Sequence, residues 1–328
     1  MVLVAIAGGT SPTLGSSIVN AILASGNHSP VILSRQPSPS SSPTEQPQSK
    51  YGAPIRYVNY ASVSSLTSAL ADVHTVISVL KIPSPSLMVT YHSNLLQAAQ
   101  SAGARRFAPS EWEGGPLTKK TVDALAFKTE IWDLCARSGL ECARFIPGAF
   151  MNYLGQGCGE TVKEEGQAGL QDELMMEYID MRKGRIVVPL NHQGLPARVV
   201  MTELRDIGRF VDAALSLGEG EWEAEMGMVG HELTMQDVVD MPEQATGRKF
   251  EVLPMTRDDL RRRQGEFDAQ LANGFSLEAF MGKLAAQLME CDCYEERGNM
   301  LFDPVINRLC PQVKPITVED YLNKYWKK

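Results

Sequence analysis

The first stretch with chemical potential is Gly8-Gly9-Thr10-Ser11-Pro12-Thr13-Leu14-Gly15. It follows the apolar run from Val2 to Ala7 and opens the helical pattern from Ser16 to Ala24; a second apolar run, Pro30 to Ser34, ends at Arg35. A strand, glycine turn, helix and strand in this order aim unpaired N–H groups and the positive end of a helix dipole at a dinucleotide pyrophosphate. Gly9, Thr10, Pro12, Thr13 and Leu14 are therefore candidate cofactor contacts. A carboxylate at the end of the second strand would bond a ribose 2′-hydroxyl, whereas the cation Arg35 suits a 2′-phosphate, favouring NADP(H) over NAD(H). The alternative for Arg35 is a solvated residue that begins a polar loop. Pro12 offers no N–H and has a fixed φ, which alters the phosphate grip. No tyrosine has a lysine four residues on, so the helical Tyr-x-x-x-Lys pair that brings phenol and ammonium to one face is absent. No Gly-x-Ser-x-Gly elbow occurs either, which disfavours a serine hydrolase.

These residues need a scaffold, and the first half supplies one by alternating short apolar runs with helical patterns. That is the signature of an α/β fold with a Rossmann-type, doubly wound parallel sheet. After Arg35, the stretch from Gln36 to Ser49 holds no apolar residue except proline and is expected to be a mobile surface loop. Further strands are expected at Ile55–Val58, His74–Leu80, Arg105–Ala108 and Glu141–Phe145. Helices are expected at Leu87–Ala102 and Lys119–Arg137, with a short one through Leu66 and Leu70. Ser110, Glu111 and Trp112 follow the fifth strand, where ligands meet strand ends in such sheets; a plain turn is the competing reading.

Beyond Pro147 the pattern loosens. Strands are expected at Arg185–Val188, Arg198–Met201 and Glu225–Val229, and helices at Glu203–Leu217, Thr234–Thr246, Ser276–Cys291 and Thr317–Trp326. The division is thus residues 1–148 for the dinucleotide domain and 149–328 for a smaller, mainly substrate-binding lobe, some of whose segments return to the first domain. The cluster of Arg257, Arg261, Arg262 and Arg263 reads as a solvated helix face. Phe275, Leu277, Phe280, Met281, Leu284, Leu288 and Met289 have helical spacing and read as core, with a binding surface as the alternative. Met175 and Met176, among fifteen methionines, suit an adaptable apolar pocket.

Bulk properties narrow the partners. The 328 residues carry a net charge of −8, which argues against nucleic acid or an anionic membrane and for a small-molecule substrate. No apolar run approaches the roughly 20 residues that span a bilayer, and no basic leader precedes the first strand, so a cytoplasmic protein is expected. Six cysteines without Cys-x-x-Cys spacing read as reduced thiols, and the five histidines show no ligand spacing, so no metal is expected. His92 reads as structural or exposed. A monomer or a homodimer is compatible with the sequence.

The sequence resembles the NmrA-like and isoflavone reductase-like group of atypical short-chain dehydrogenases/reductases. The resemblance rests on the glycine turn, on the stretch from Leu95 to Trp112, and on Arg144-Phe145-Ile146-Pro147-Gly148-Ala149-Phe150. It continues through Asp206-Ile207-Gly208-Arg209-Phe210, Thr246-Gly247-Arg248-Lys249-Phe250 and the tail from Asn307 to Pro315, covering nearly the whole chain. It implies a Rossmann fold, NADP(H), and reduction of a small, aromatic or polyketide-like secondary metabolite. It implies that Lys128 holds the ribose hydroxyls and moves a proton near the hydride acceptor, in place of the missing tyrosine; the alternative is a lysine that points to water. It also implies that Pro147 and Phe150 contact the nicotinamide and that Phe150 and Asn152, with Ser110, Glu111 and Trp112, contact substrate. Two departures stand out: Pro12 replaces the middle glycine of the family turn or, aligned from Gly8, the turn carries one extra residue, and Trp112-Glu113 replaces the common Phe-Gly, setting a larger aromatic beside the nicotinamide. Some relatives sense the cofactor without turnover, and a non-redox isomerase or cyclase on this fold is a third reading.

Overall fold

A computed structural model describes residues 1–36, 52–82, 84–115, 117–158, 178–294 and 302–326. Most of the polar stretch from Gln36 to Ser49, together with Met175 and Met176, lies outside the described residues. The first half builds β1 (Leu3–Ala7), α1 (Leu14–Ser25), β2 (Ser29–Ser34), β3 (Ile55–Tyr57), α2 (Val63–Ala69), β4 (Thr75–Ser78), α3 (Pro85–Ala102) and β5 (Arg106–Ala108). With β6 (Glu141–Cys142) they form a parallel six-stranded sheet in the order β3-β2-β1-β4-β5-β6. Its central strands are short and buried on both faces because helices cover them, so they appear in sequence as apolar runs such as Val4-Ala5-Ile6-Ala7. The order reverses between β1 and β4, and the crevice beyond their carboxyl ends is where such sheets hold ligands.

Two expected elements break. The pattern from Lys119 to Arg137 predicts one helix, but the chain forms α4 (Thr118–Thr121), a 3₁₀ turn (Asp123–Leu125) and α5 (Phe127–Ala136), with Val122 extended between them. The break is fixed from outside: Asp123 accepts from Gln287 Nε2 at 3.0 Å and pairs with Lys283 at 2.9 Å. The expected strand from Glu141 to Phe145 divides at Ala143. β6 stays beside β5, while β7 (Arg144–Ile146) pairs in parallel with β12 (Glu225–Gly227) from far along the chain.

The second half contributes β8 (Ala149–Phe150), a 3₁₀ turn (Met151–Gly155), β9 (Ile179–Asp180), β10 (Arg185–Pro189), β11 (Arg198–Thr202) and α6 (Leu204–Leu215). After β12 come β13 (His231–Thr234), α7 (Met235–Thr246), β14 (Glu251–Met255), α8 (Arg257–Ala272), α9 (Leu277–Asp292), α10 (Val305–Leu309) and α11 (Val318–Tyr325). Two small sheets, β14-β10-β9 and β13-β11-β8, share a separate core that includes Ile186, Val188, Met201, Val238 and Tyr321. α6 returns to the first core, where Ile207, Phe210 and Val211 join Ile18 and Ile22 of α1. The crossing is close enough that a Cβ on Gly208 would strike the Ser17 carbonyl. Arg106 ties the same junction: its guanidinium pairs with Glu141 at 2.6 Å and donates to the Leu217 carbonyl at 2.9 Å, just past the end of α6.

Phe275, Leu277 and Phe280 are not core. They are exposed, Phe275 at 77%, while Ala279, Gly282, Ala285, Ala286 and Met289 form the buried face of α9. The small residues face inward because α8 packs so closely that the Phe267 ring occupies the space over Gly282.

Candidate functional site

The glycine turn lies at the carboxyl end of β1. Gly8 has φ +84°, and a Cβ there would meet the Val79 backbone at 3.2 Å, so the turn sits directly against the end of β4. Gly15 starts α1 so near the turn that its Cβ would be 2.7 Å from the Gly8 carbonyl oxygen. Gly15→Ala is expected to destabilise the protein by about 1–3 kcal/mol through this overlap; urea unfolding measures it, and an unchanged midpoint would refute the tight-turn account.

Thr13 precedes α1 without capping it, because its hydroxyl is hydrogen-bonded to that of Ser11 at 3.1 Å. The helix start thus has no side-chain acceptor of its own, the arrangement that suits an incoming phosphate. Gly9 is buried beneath the turn, Thr10 is half-buried, and Pro12 is exposed at its tip. The Leu14 side chain packs into the core, leaving its backbone for any cofactor contact. Arg35 is exposed just past β2. Tyr60, buried and donating to the Leu33 carbonyl at 3.0 Å, lies within the field of Arg35; burial raises its pKa, which Arg35 partly opposes.

At the neighbouring strand ends, His92 organises the loop after β5. Its Nδ1 faces the Met88 carbonyl at 2.8 Å, while Nε2 lies 3.0 Å from Ser78 Oγ and accepts from the Ser110 amide at 3.3 Å. That pattern requires the neutral tautomer with the proton on Nδ1. Burial pushes the His92 pKa down to about 4, despite the Met88 bond, and the Lys128 charge lowers it further. The histidine is buried structure; it spans β4, α3 and the loop.

Ser110 and Trp112 are then fixed to the sheet. Ser110 Oγ donates to the Leu80 carbonyl at 2.9 Å, and Trp112 Nε1 donates to the Ser78 carbonyl at 2.8 Å. The Trp112 ring is buried and stacks on Phe145 at 5.4 Å, within the core that also holds Trp222. Its bulk therefore anchors the loop.

The loop also presents two carboxylates. Glu111 is 2% exposed and paired with Lys119; burial raises its pKa, Glu113 adds to the rise, and Lys119 and Lys128 oppose it. Glu113 is paired with Lys128. Lys128 lies on α5 with Ile131 and Cys135, and this face turns inward, so the ammonium does not point to open water. Glu111, Glu113, Lys119 and Lys128 thus form a compact, charge-balanced group at the carboxyl edge of the sheet. Lys119 is a member of this group that sequence reasoning did not single out, and Glu113 stood out there only as a residue where the resemblance expects glycine.

The remaining candidates are more interior. Pro147 is buried, its carbonyl accepting from Thr202 Oγ1 at 2.7 Å. Phe150 is half-buried and stacks on Tyr153 at 6.2 Å. Asn152 is 2% exposed; its Nδ2 donates to Glu203 Oε1 at 3.0 Å and its Oδ1 accepts from the Leu204 amide at 2.9 Å. Asn152 therefore fixes the start of α6, and both ends of its amide are engaged. α9 closes over α4 and the following turn through Asp123, Lys283 and Gln287. All six cysteines are free. Among the described residues no cluster of histidine, cysteine or carboxylate side chains could hold a metal ion, and no helix is long and apolar enough to cross a membrane.

Known proteins share this fold. The chain is 32% identical over 256 residues to oxidoreductase BOA1 of Botryotinia fuckeliana, covering 76% of this chain and 78% of that protein. It is 24% identical over 276 residues to oxidoreductase swnN of Metarhizium robertsii, covering 77% and 76%. Leucoanthocyanidin reductase from Vitis vinifera, solved with NADPH, superposes with a TM-score of 0.69 at 17% identity, covering 98% of this chain and 99% of the other. AtPrR2, solved with NADP+ and (+)pinoresinol, gives 0.69 at 19% identity, covering 99% and 98%. The NmrA-like family matches residues 2–322, and with nearly its whole length accounted for in this way the chain belongs to that family.

Proposed function

We propose that this protein is an NADPH-dependent reductase of a small, aromatic or polyketide-like secondary metabolite, with Lys128 assisting proton movement. The observation that carries the reading is the convergence at one sheet edge of an uncapped helix start, an exposed arginine after β2 and a buried lysine after β5. The relatives named oxidoreductases and the NADPH- and NADP+-bound structures of the same fold support it. Residues 1–148 would bind the cofactor and residues 149–328 mainly the substrate.

The glycine turn fits a dinucleotide, because the space a Cβ at Gly15 would fill is closed and the α1 amides lack a competing side chain. Bound there, NADPH supplies the hydride. The backbone from Gly9 to Leu14 would hold the pyrophosphate, and Arg35 the 2′-phosphate. Pro147 and Phe150 would border the nicotinamide. Phe150, with Ser110, Glu111, Trp112 and Asn152 shaping the wall, would border the substrate. Lys128 would hold the ribose hydroxyls and move a proton at the atom being reduced.

The test is a paired titration. Arg35→Ala should weaken NADPH binding by about 10- to 100-fold, the value of one or two charge-assisted bonds, and change NADH binding by less than about threefold. Nicotinamide fluorescence reads both; equal losses would remove the 2′-phosphate assignment, and absence of NADPH binding by the parent protein would end the reductase reading.

A further inference from the structure

We infer that Glu113 is a positioning residue whose carboxylate pairs with the Lys128 ammonium and holds it in place, so that Lys128 acts as a proton donor to the group being reduced. This rests on the reductase reading above. The two side chains form an ion pair with only 10% of Lys128 and 16% of Glu113 exposed. A carboxylate against an ammonium in such a setting limits the rotamers of the long lysine side chain.

Four further observations make the pair a dedicated one. Glu113 Oε1 is buried with no hydrogen-bond partner among the described residues, so no neighbouring donor diverts the carboxylate from Lys128. The other nearby lysine, Lys119, is taken by Glu111. The loop that carries Glu113 is tied to β4 and its continuation by the Ser110 and Trp112 hydrogen bonds, so the carboxylate is presented from a rigid base. On the other side His92 is held neutral by burial and adds no competing cation.

The direction of proton flow follows. A carbonyl reduced here would gain at carbon the hydride that bound NADPH would supply, leaving NADP+, and its π pair would move onto oxygen. That oxygen takes a proton from Lys128 Nζ, the N–H bond breaks, and the neutral amine is recharged from water. Glu113 itself transfers nothing; it holds Nζ at the place from which the proton leaves.

Competitive labelling tests this without a known substrate. The full-length protein, without added cofactor, is treated with acetic anhydride across a pH series, and modification at Lys128 and Lys119 is read by mass spectrometry. Glu113→Gln should move the Lys128 profile at least about one pH unit lower, giving about tenfold more labelling near neutrality, while Lys119 keeps its profile. Glu113→Asp, which keeps the charge, should return the profile toward that of the parent. A uniform rise without a shift reports only a looser loop and overturns the inference, as does a Glu113→Asp profile matching Glu113→Gln. If Glu113→Gln fails to fold, the Asp variant against the parent still decides: a full shift with the charge retained refutes the pairing. NADPH binding by the same samples is measured separately, so loss of the reductase reading is distinguishable from loss of the Glu113 assignment.

Discussion

Lys128→Met should lower turnover about 10²- to 10⁴-fold, the usual contribution of a positioned general acid, while NADPH affinity falls less than about tenfold. On the proposed reading the asymmetry arises because the ammonium would contribute a few hydrogen bonds to binding but the whole of the proton delivery in the transition state. Turnover is measured as loss of nicotinamide absorbance with aromatic carbonyl compounds and quinones as acceptors, and affinity by nicotinamide fluorescence. A second effect accompanies the first. The substitution strands Glu113 in a mostly buried place, and removing one partner of a buried pair costs stability. Part of that loss is screened, because both groups retain some solvent contact. The double variant Lys128→Met/Glu113→Gln removes both charges and should recover most of the unfolding midpoint without recovering turnover. If turnover returned with stability, Lys128 would be a structural residue.

How far the sequence reveals this arrangement depends on where each residue finds its partner. β1, β2 and β4 are legible because each is buried by helices on both faces, so the apolar run itself marks the strand. The turn and Arg35 are legible because local spacing sets their relation. The break at Val122 is not, since its cause is Asp123 meeting Lys283 and Gln287 more than 150 residues away. The division of the sixth strand at Ala143 likewise depends on β12. In α9, helical spacing correctly suggests an amphipathic element, yet the buried face is the small-residue one because the Phe267 ring fills the gap. At the site, Trp112 and Asn152 look like ligand contacts by position. Their side chains meet Phe145 and Ser78, or Glu203 and Leu204, which no local pattern encodes. The Glu113–Lys128 pair escapes periodicity altogether, because a loop and a helix break separate the two residues.

Asp292→Asn should make the protein more stable than its parent above about pH 7 and should flatten the pH dependence below it. Asp292 is 1% exposed at the end of α9, and its Oδ2 accepts from the buried Tyr178 hydroxyl. Burial raises its pKa to about 7, against the lowering effect of the Tyr178 bond, from an ordinary value of 3.8. The sign follows from linkage. Below about pH 4 the carboxyl is protonated in both folded and unfolded chains, and the full stabilising contribution is present. Between about pH 4 and about pH 7 the unfolded chain ionises while the folded one holds its proton, so stability falls as pH rises. The gap of about three pH units corresponds to at most about 4 kcal/mol. Cys291 and Cys293, both pushed up to about 12 by burial, stay neutral over this window, as does Tyr178. Glu290 stays ionised: burial raises its pKa, but Gln264, Arg261 and Arg257 together hold it low. Asparagine keeps an acceptor for Tyr178 and loses the titration, and the small penalty of its amide N–H groups does not vary with pH. Urea midpoints for the two proteins across the window give the difference directly: it should widen by up to about 4 kcal/mol as pH rises and level off near neutrality. Parallel curves would mean that Asp292 is ionised in the folded protein, and that its buried charge has a partner other than Tyr178.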